Sequence, residues 1–358
     1  MERISIPFAA GAATSAILSE AIGSPYGTSI ASSAMMLVFL AASIIIGKNP
    51  RRSVGYAVLF FTAGFFCHAV AVMTEGMASG MRFPIASVAG DACMRLRSAI
   101  DSMEIGGHAR NELLKALLTG DRSGLPEDVR TAFRDAGASH ILALSGLHMG
   151  IIYAMLARLL AFLGNSIRAT KIRSTLLVLA AAFYMMMTGA GPSIVRAFLF
   201  ILLSEICHNL PGRVRDPARI LQTALIIQLA VTPTVISSLG FQLSYLAVAG
   251  IVWIMPKLSG WYPGDGTFDP LKKIWDLCAL SISCQCLTAP LVWIRFRTFP
   301  QFFLVTNLVA MPLTTMSIAA AIFCLATGTH CPETALKACG QCVSMLMYSL
   351  DVLASLSS

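Results

Sequence analysis

Long apolar runs alternate with short polar turns through most of the 358-residue chain. A run of about 20 residues is long enough to cross a bilayer as a helix. The pattern predicts such spans at Pro7–Gly23 (short, and interrupted by Glu20), Thr28–Ile46, Ser53–Met73, Ser139–Leu163, Ser174–Thr188 and Ser193–His208. It continues with Ile220–Val231, Gly240–Met255, Ile274–Ile294, Phe303–Ala326 and Leu336–Leu356. The expected fold is all-α: a polytopic α-helical membrane protein of about 10–11 transmembrane helices, joined by short amphipathic extracytoplasmic helices.

One stretch breaks the apolar rhythm. Between Asp91 and Gly120, apolar positions at Met94, Leu96, Ile100 and Met103, then Leu113, Leu114, Leu117 and Leu118, suit amphipathic helices. Such helices lie on a membrane surface or pack against the bundle. Further on, Pro126, Glu127 and Asp128 fit the first turn of a short helix, with acids at its positive end. Val129, Ala132, Phe133 and Ala136 follow at helical spacing, and Gly137 stops it. The expected organisation is residues 1–74 as N-terminal transmembrane helices, 75–137 as an extracytoplasmic segment and 138–358 as a transmembrane core.

Composition agrees with this picture. Hydrophobic residues make up 56% and charged residues only 12%, where soluble domains average about 25% charged; the mean hydropathy is +0.74. The net charge of +8 is concentrated in loops. Lys48, Arg51 and Arg52, then Arg168, Lys171 and Arg173, then Arg213, Arg215 and Arg219, then Lys257, Lys272 and Lys273 fall at alternate connections. Basic loops stay in the cytoplasm, so the N-terminus is placed there too, with Arg295 and Arg297 as exceptions. The eight basic and nine acidic residues from Glu75 to Ala138 nearly cancel, as suits a translocated region.

Candidate chemistry begins at Ser139. In a continuous helix at about 100° per residue, Ser139, Ala143, Gly146 and Gly150 form a small-residue stripe that admits another backbone. His140, Leu144, Leu147, His148 and Ile151 take the neighbouring face, and ionisable groups in membrane helices usually face a cavity or the bundle interior. Further on, Gly189-Ala190-Gly191-Pro192-Ser193 ends one helix and opens another, exposing backbone N–H groups that suit an anion. Arg196 follows inside an apolar span: either a fixed charge along a polyanion path or an anchor to outer headgroups. Glu205 is the one carboxylate well inside a span. Gln222, Gln228, Gln242, Ser244, Tyr245, Gln285, Thr288, Thr306 and Asn307 read more readily as interhelical glue than as pore lining. Pro233, Pro290 and Pro312 are expected to kink or break their helices.

Other chemistries fit poorly. His140 and His148 are about 12 Å apart along a continuous helix, too far to share a metal. Ser145 and His148 share that helix and lack oxyanion donors, which argues against a serine protease. The ten cysteines lie in or near apolar helices and read as buried free thiols. No P-loop is present, and none of the six histidines forms an HxHxDH motif. No catalytic group, metal or cofactor is expected.

The wording GDRSGLPEDVRTAFRDAGASHILALSGLHMG closely resembles the core of the ComEC-type competence proteins. GPSIVRA at Gly191–Ala197, FQLSYLAVAGI at Phe241–Ile251 and TNLVAMPL at Thr306–Leu313 extend the resemblance, which runs from about residue 113 to 328. It implies a bacterial inner-membrane channel for single-stranded DNA uptake during natural transformation. His140, Ser145, His148 and Arg196 would line its path, with Ser139, Gly146, Gly150, Gly191 and Pro192 in helix packing. The family's OB-like and metallo-β-lactamase-like domains find no counterpart in these residues. Nuclease, DNA receptor and cytoplasmic motor are therefore expected on separate chains. A small-anion transporter on the same core, and a non-transporting membrane scaffold, stand as alternatives.

Overall fold

The computed structural model describes residues 2–22, 53–74, 84–103, 105–164, 166–210, 215–263, 269–297 and 302–357. Regular structure among them is helical throughout. The first helices are α1 (Glu2–Ile22), α2 (Ser53–Thr74), α3 (Pro84–Asp101), α4 (His108–Thr119), α5 (Glu127–Asp135), α6 (Ser139–Leu142) and α7 (Gly146–Leu159). They are followed by α8 (Ile167–Met187), α9 (Pro192–Asn209), α10 (Pro217–Val231) and α11 (Leu239–Trp253). The last are α12 (Met255–Ser259), α13 (Pro270–Phe296), α14 (Phe303–Thr327) and α15 (Glu333–Ser357).

Among the described residues, six segments are long and apolar enough to cross a membrane: Gly146–Leu163, Ile167–Met187, Leu239–Ser259, Pro270–Phe296, Phe303–Thr327 and Glu333–Leu356. Ile4–Glu20, Ala57–Val72 and Pro217–Val231 are shorter apolar helices. The protein is thus a multi-pass helical membrane protein. The span expected at Thr28–Ile46 lies outside the described residues. Pro290 and Pro312 do not end their helices: they sit within α13 and α14, which continue through them. Neighbouring helices can re-satisfy a backbone group freed by proline in a membrane protein. Only Pro233 coincides with a helix end, after α10.

The chain forms two compact units, Met1–Phe83 with Ile206–Tyr245, and Pro84–Glu205 with Leu246–Ser358. In the first, α1 and α2 meet backbone to backbone. A Cβ added at Gly11 would lie 1.8 Å from the Phe61 carbonyl oxygen, and one at Gly64 would lie 1.9 Å from that of Phe8. Small residues let membrane helices approach this closely. Ser15 and His68 share a 3.1 Å hydrogen bond across the pair. Elsewhere in the same unit the Tyr245 hydroxyl donates to Gln228 at 2.9 Å, the glue role expected of these polar groups.

The second unit is organised around α4. Its leucines Leu113, Leu114, Leu117 and Leu118 are buried in one core with α5, α14 and α15. Asn111 beside them and Glu112 on the opposite side are buried as well, so α4 is enclosed and is not a surface amphipath. Several polar groups of this region are paired. The Asn111 side-chain amide donates to the carbonyls of Ile100 at 2.9 Å and Met103 at 3.1 Å. Lys115 bridges Asp101 at 2.6 Å and Glu112 at 2.7 Å, and Arg97 pairs with Asp121 at 2.9 Å. These bonds fold α3 back on α4 and offset the cost of burying charge. The short helix α5 buries Val129, Ala132 and Phe133 as its spacing predicts, and the chain turns at Gly137 with φ +75°.

Two side chains from the long helices fasten this segment. Tyr184 of α8 donates to the Leu118 carbonyl, and Thr306 of α14 donates to that of Ala136, both at 2.9 Å. At its other end Ile105 lies against Gly340 of α15. The segment is therefore held at one end to α14 and at the other to α15.

Candidate functional site

The structure divides the helix expected to start at Ser139. α6 ends at Leu142, Ala143 is extended with ψ 121°, and α7 starts afresh at Gly146. Ser145 causes the restart. Its backbone is extended at φ −123° and ψ 170°, and its hydroxyl accepts the Leu147 N–H at 3.2 Å. The Ser145 N–H in turn donates to Nδ1 of His148 at 3.1 Å, closing a capping box with histidine in the returning position. A serine that satisfies first-turn donors is worth about 1 kcal/mol to a helix start.

This corrects the two faces drawn by continuous rotation. Ser139 and His140 belong to α6 and are exposed, whereas Gly146, His148 and Gly150 belong to α7. The described residues hold no group of three potential metal ligands.

His148 is 1% exposed. Since Nδ1 accepts a backbone N–H, the neutral ring carries its proton on Nε2. That buried Nε2 has no hydrogen-bond partner among the described residues. The Ser145 hydroxyl is committed to the cap and also lies 3.1 Å from the same Nδ1.

The second helix start is built differently. α8 closes through Gly189 at φ +80° and Ala190 at φ +51°. A left-handed alanine costs about 1 kcal/mol, and the Ala190 N–H is held by the Met185 carbonyl at 2.9 Å. Pro192 then opens α9. One turn on, Arg196 is 8% exposed and reaches across to α7. A Cβ built at Gly146 would lie 2.7 Å from Arg196 Nη2 and 3.3 Å from the Ala197 Cβ. At Gly150 and Gly191, by contrast, an added Cβ would meet no heavy atom within 4 Å. The close approach is therefore at Gly146, and Met149, Ile194, Ala197 and Tyr184 pack behind it.

The electrostatics follow from this geometry. Two helix N-termini carry partial positive charge, and a guanidinium adds a full one. The junction thus carries a positive field, which favours an anion. The opposite sign appears about 13 Å along α9, where Glu205 is 5% exposed. One carboxylate oxygen accepts the Tyr153 hydroxyl of α7 and the other accepts Ser174 of α8 at 2.5 Å. This cluster joins three helices, and Tyr153 and Ser174 were not legible as its members. A tyrosine and a serine in apolar helices carry no signal of their own; only the lone carboxylate stood out.

Fold and site together define a polytopic helical membrane protein with a positive junction between two helix starts. Residues 117–358 match the Competence protein family, and the chain belongs to that family. It is similar to ComE operon protein 3 of Bacillus subtilis (strain 168), 27% identical over 217 residues, covering 60% of this chain and 25% of that protein. It is also similar to the uncharacterized protein YcaI of Escherichia coli (strain K12), 26% identical over 243 residues, covering 65% of this chain and 31% of that protein. The chain therefore matches less than a third of the length of the first and also of the second. No solved structure matches it.

Proposed function

We propose that the chain conducts single-stranded DNA across the bacterial inner membrane during natural transformation, with its N-terminus in the cytoplasm. Membership of the Competence protein family supports the reading. The observation that carries it here is the Arg196 guanidinium set against Gly146 at the start of α7. Beside it, His148 offers a buried Nε2 donor. A sequence-tolerant path for a polyanion needs positive charge and donors directed at the backbone phosphates. On this reading Arg196, His148 and Ser145 border the path, and His140 stands exposed at its approach.

The test is internalisation of fluorescent DNA into a nuclease-protected cytoplasmic pool in competent cells. Wild type, a deletion and Arg196→Ala are compared at matched membrane levels. Loss in both mutants is the expected result. Uptake unchanged in the deletion overturns the DNA reading, and loss in the deletion alone removes Arg196 from the path.

A further inference from the structure

The turn that joins α7 to α8 stands at the opposite end of both helices from the junction of Gly146 and Arg196. Leu160–Leu163 continues α7 as one 3-10 turn, which packs against α7 and α8 alike, and α8 starts at Ile167. Both helices belong to the segments that can cross a membrane. A turn between two consecutive spans falls at the membrane surface.

The charge of this turn is one-sided. Arg158 lies in the last turn of α7, and Arg168, Lys171 and Arg173 lie in the first turns of α8. The sequence has no acid between Asp135 and Glu205. Glu205 meets α8 at Ser174 but is buried there. Among the described residues none of the four cations forms an ion pair. Arg173 is half-buried, whereas Arg158, Arg168 and Lys171 are exposed. Cations at the start of α8 also oppose its own dipole, so an anion supplied from outside relieves both.

The apolar side chains beside these cations are exposed as well. Phe162 and Ile167 are each 79% exposed, and Leu159 is 65% exposed. Down α8 the exposure keeps to one face: Arg168, Ile172, Leu176, Leu179, Phe183 and Met186 follow at helical spacing, all exposed. That track is about 27 Å long at 1.5 Å per residue, close to the thickness of the hydrocarbon core.

We propose that the turn between α7 and α8 binds an anionic phospholipid. Arg158, Arg168 and Lys171 hold its phosphate, and its acyl chains lie along Ile172, Leu176 and Leu179. Charge complementarity selects an anionic headgroup over a zwitterionic one. The apolar track selects a lipid over a nucleic acid. A single strand stacks successive bases on aromatic rings, and Phe162 is the one aromatic residue from Arg158 to Arg173.

The experiment titrates the full chain in detergent with dioleoyl phosphatidylglycerol or dioleoyl phosphatidylcholine and counts bound lipid by native mass spectrometry. Phosphatidylglycerol is expected to bind about tenfold or more tightly than phosphatidylcholine. Arg168→Gln should weaken it about fivefold and Arg168→Gln/Lys171→Gln about twenty-fivefold, the weight of one and two cations near an anionic headgroup. Lys272→Gln/Lys273→Gln, at another basic connection, should leave it unchanged. Glycerol phosphate, which lacks acyl chains, should not displace it. Equal binding of the two lipids by the wild-type chain overturns the proposal even if a variant misfolds. So does an equal loss in both double variants, which makes the effect one of general charge. Displacement by glycerol phosphate overturns it in favour of a soluble phosphate, and displacement by a single-stranded oligonucleotide in favour of nucleic acid.

Discussion

Arg196 owes its place to the side chain that Gly146 lacks. Gly146→Ala brings a methyl to 2.7 Å from Nη2 and 3.3 Å from the Ala197 Cβ. The guanidinium end is flexible and can retreat, so a stability loss of about 1–2 kcal/mol is expected. Its displacement should lower DNA uptake toward the level of Arg196→Ala, and thermal unfolding run beside the uptake assay separates the two effects. Arg196 was legible because a charge inside an apolar run is conspicuous; the residue it leans on was not. At Asp121 the readout is pH. Hydrogen bonds from Ser123, then the nearby Arg97, hold its carboxyl below the ordinary 3.8. A lowered folded pKa contributes stability above the unfolded value, and that contribution is lost as pH falls through the folded one. Asp121→Asn should therefore be less stable than wild type at neutral pH, with the difference closing below pH ~4.

At the scale of elements, the spacing of apolar residues located helices well and their joints poorly. The run after Ser139 is apolar throughout, so periodicity carries it through Ser145 without interruption. The break is decided by a serine hydroxyl and a histidine ring that satisfy each other's backbone, a local hydrogen-bond choice that hydropathy does not register. Likewise Gly150 and Gly250 look alike in sequence, as glycines in apolar helices. A Cβ at Gly250 of α11 would stand 2.1 Å from the Ser283 carbonyl oxygen of α13, where only backbone could yield. Gly250→Ala is expected to cost about 3 kcal/mol by forcing those helices apart. Gly150→Ala meets nothing within 4 Å and should be neutral or stabilising by about 0.5–1 kcal/mol, the gain of alanine over glycine in a helix. Thermal unfolding of both variants in one detergent checks the contrast.

For the molecule as a whole, the least apolar stretch supplies part of the main core. The segment from Ile105 to Ala136 shares one core with α14 and α15, and its leucines are among the most buried of the described residues. What seats it are bonds from distant helices to its backbone. Thr306→Val removes the donor to the buried Ala136 carbonyl. Leaving that acceptor unsatisfied is expected to cost about 1–3 kcal/mol. The loss should show as faster proteolysis within residues 105–137 of the full chain, and unchanged digestion there would contradict the role given to Thr306.

The sequence by itself determined that the chain is helical, crosses a membrane several times and carries the competence core. Long apolar runs and a contiguous motif act locally, and both are complete within one stretch of chain. It also singled out Arg196, His148 and Glu205, because polar groups in a low-dielectric setting are rare. Only the tertiary structure decided which of them meet and that α4 is enclosed. Those outcomes depend on contacts between residues far apart in the chain. A helix face acquires its meaning from the element packed against it, and no periodicity within that helix specifies its neighbour.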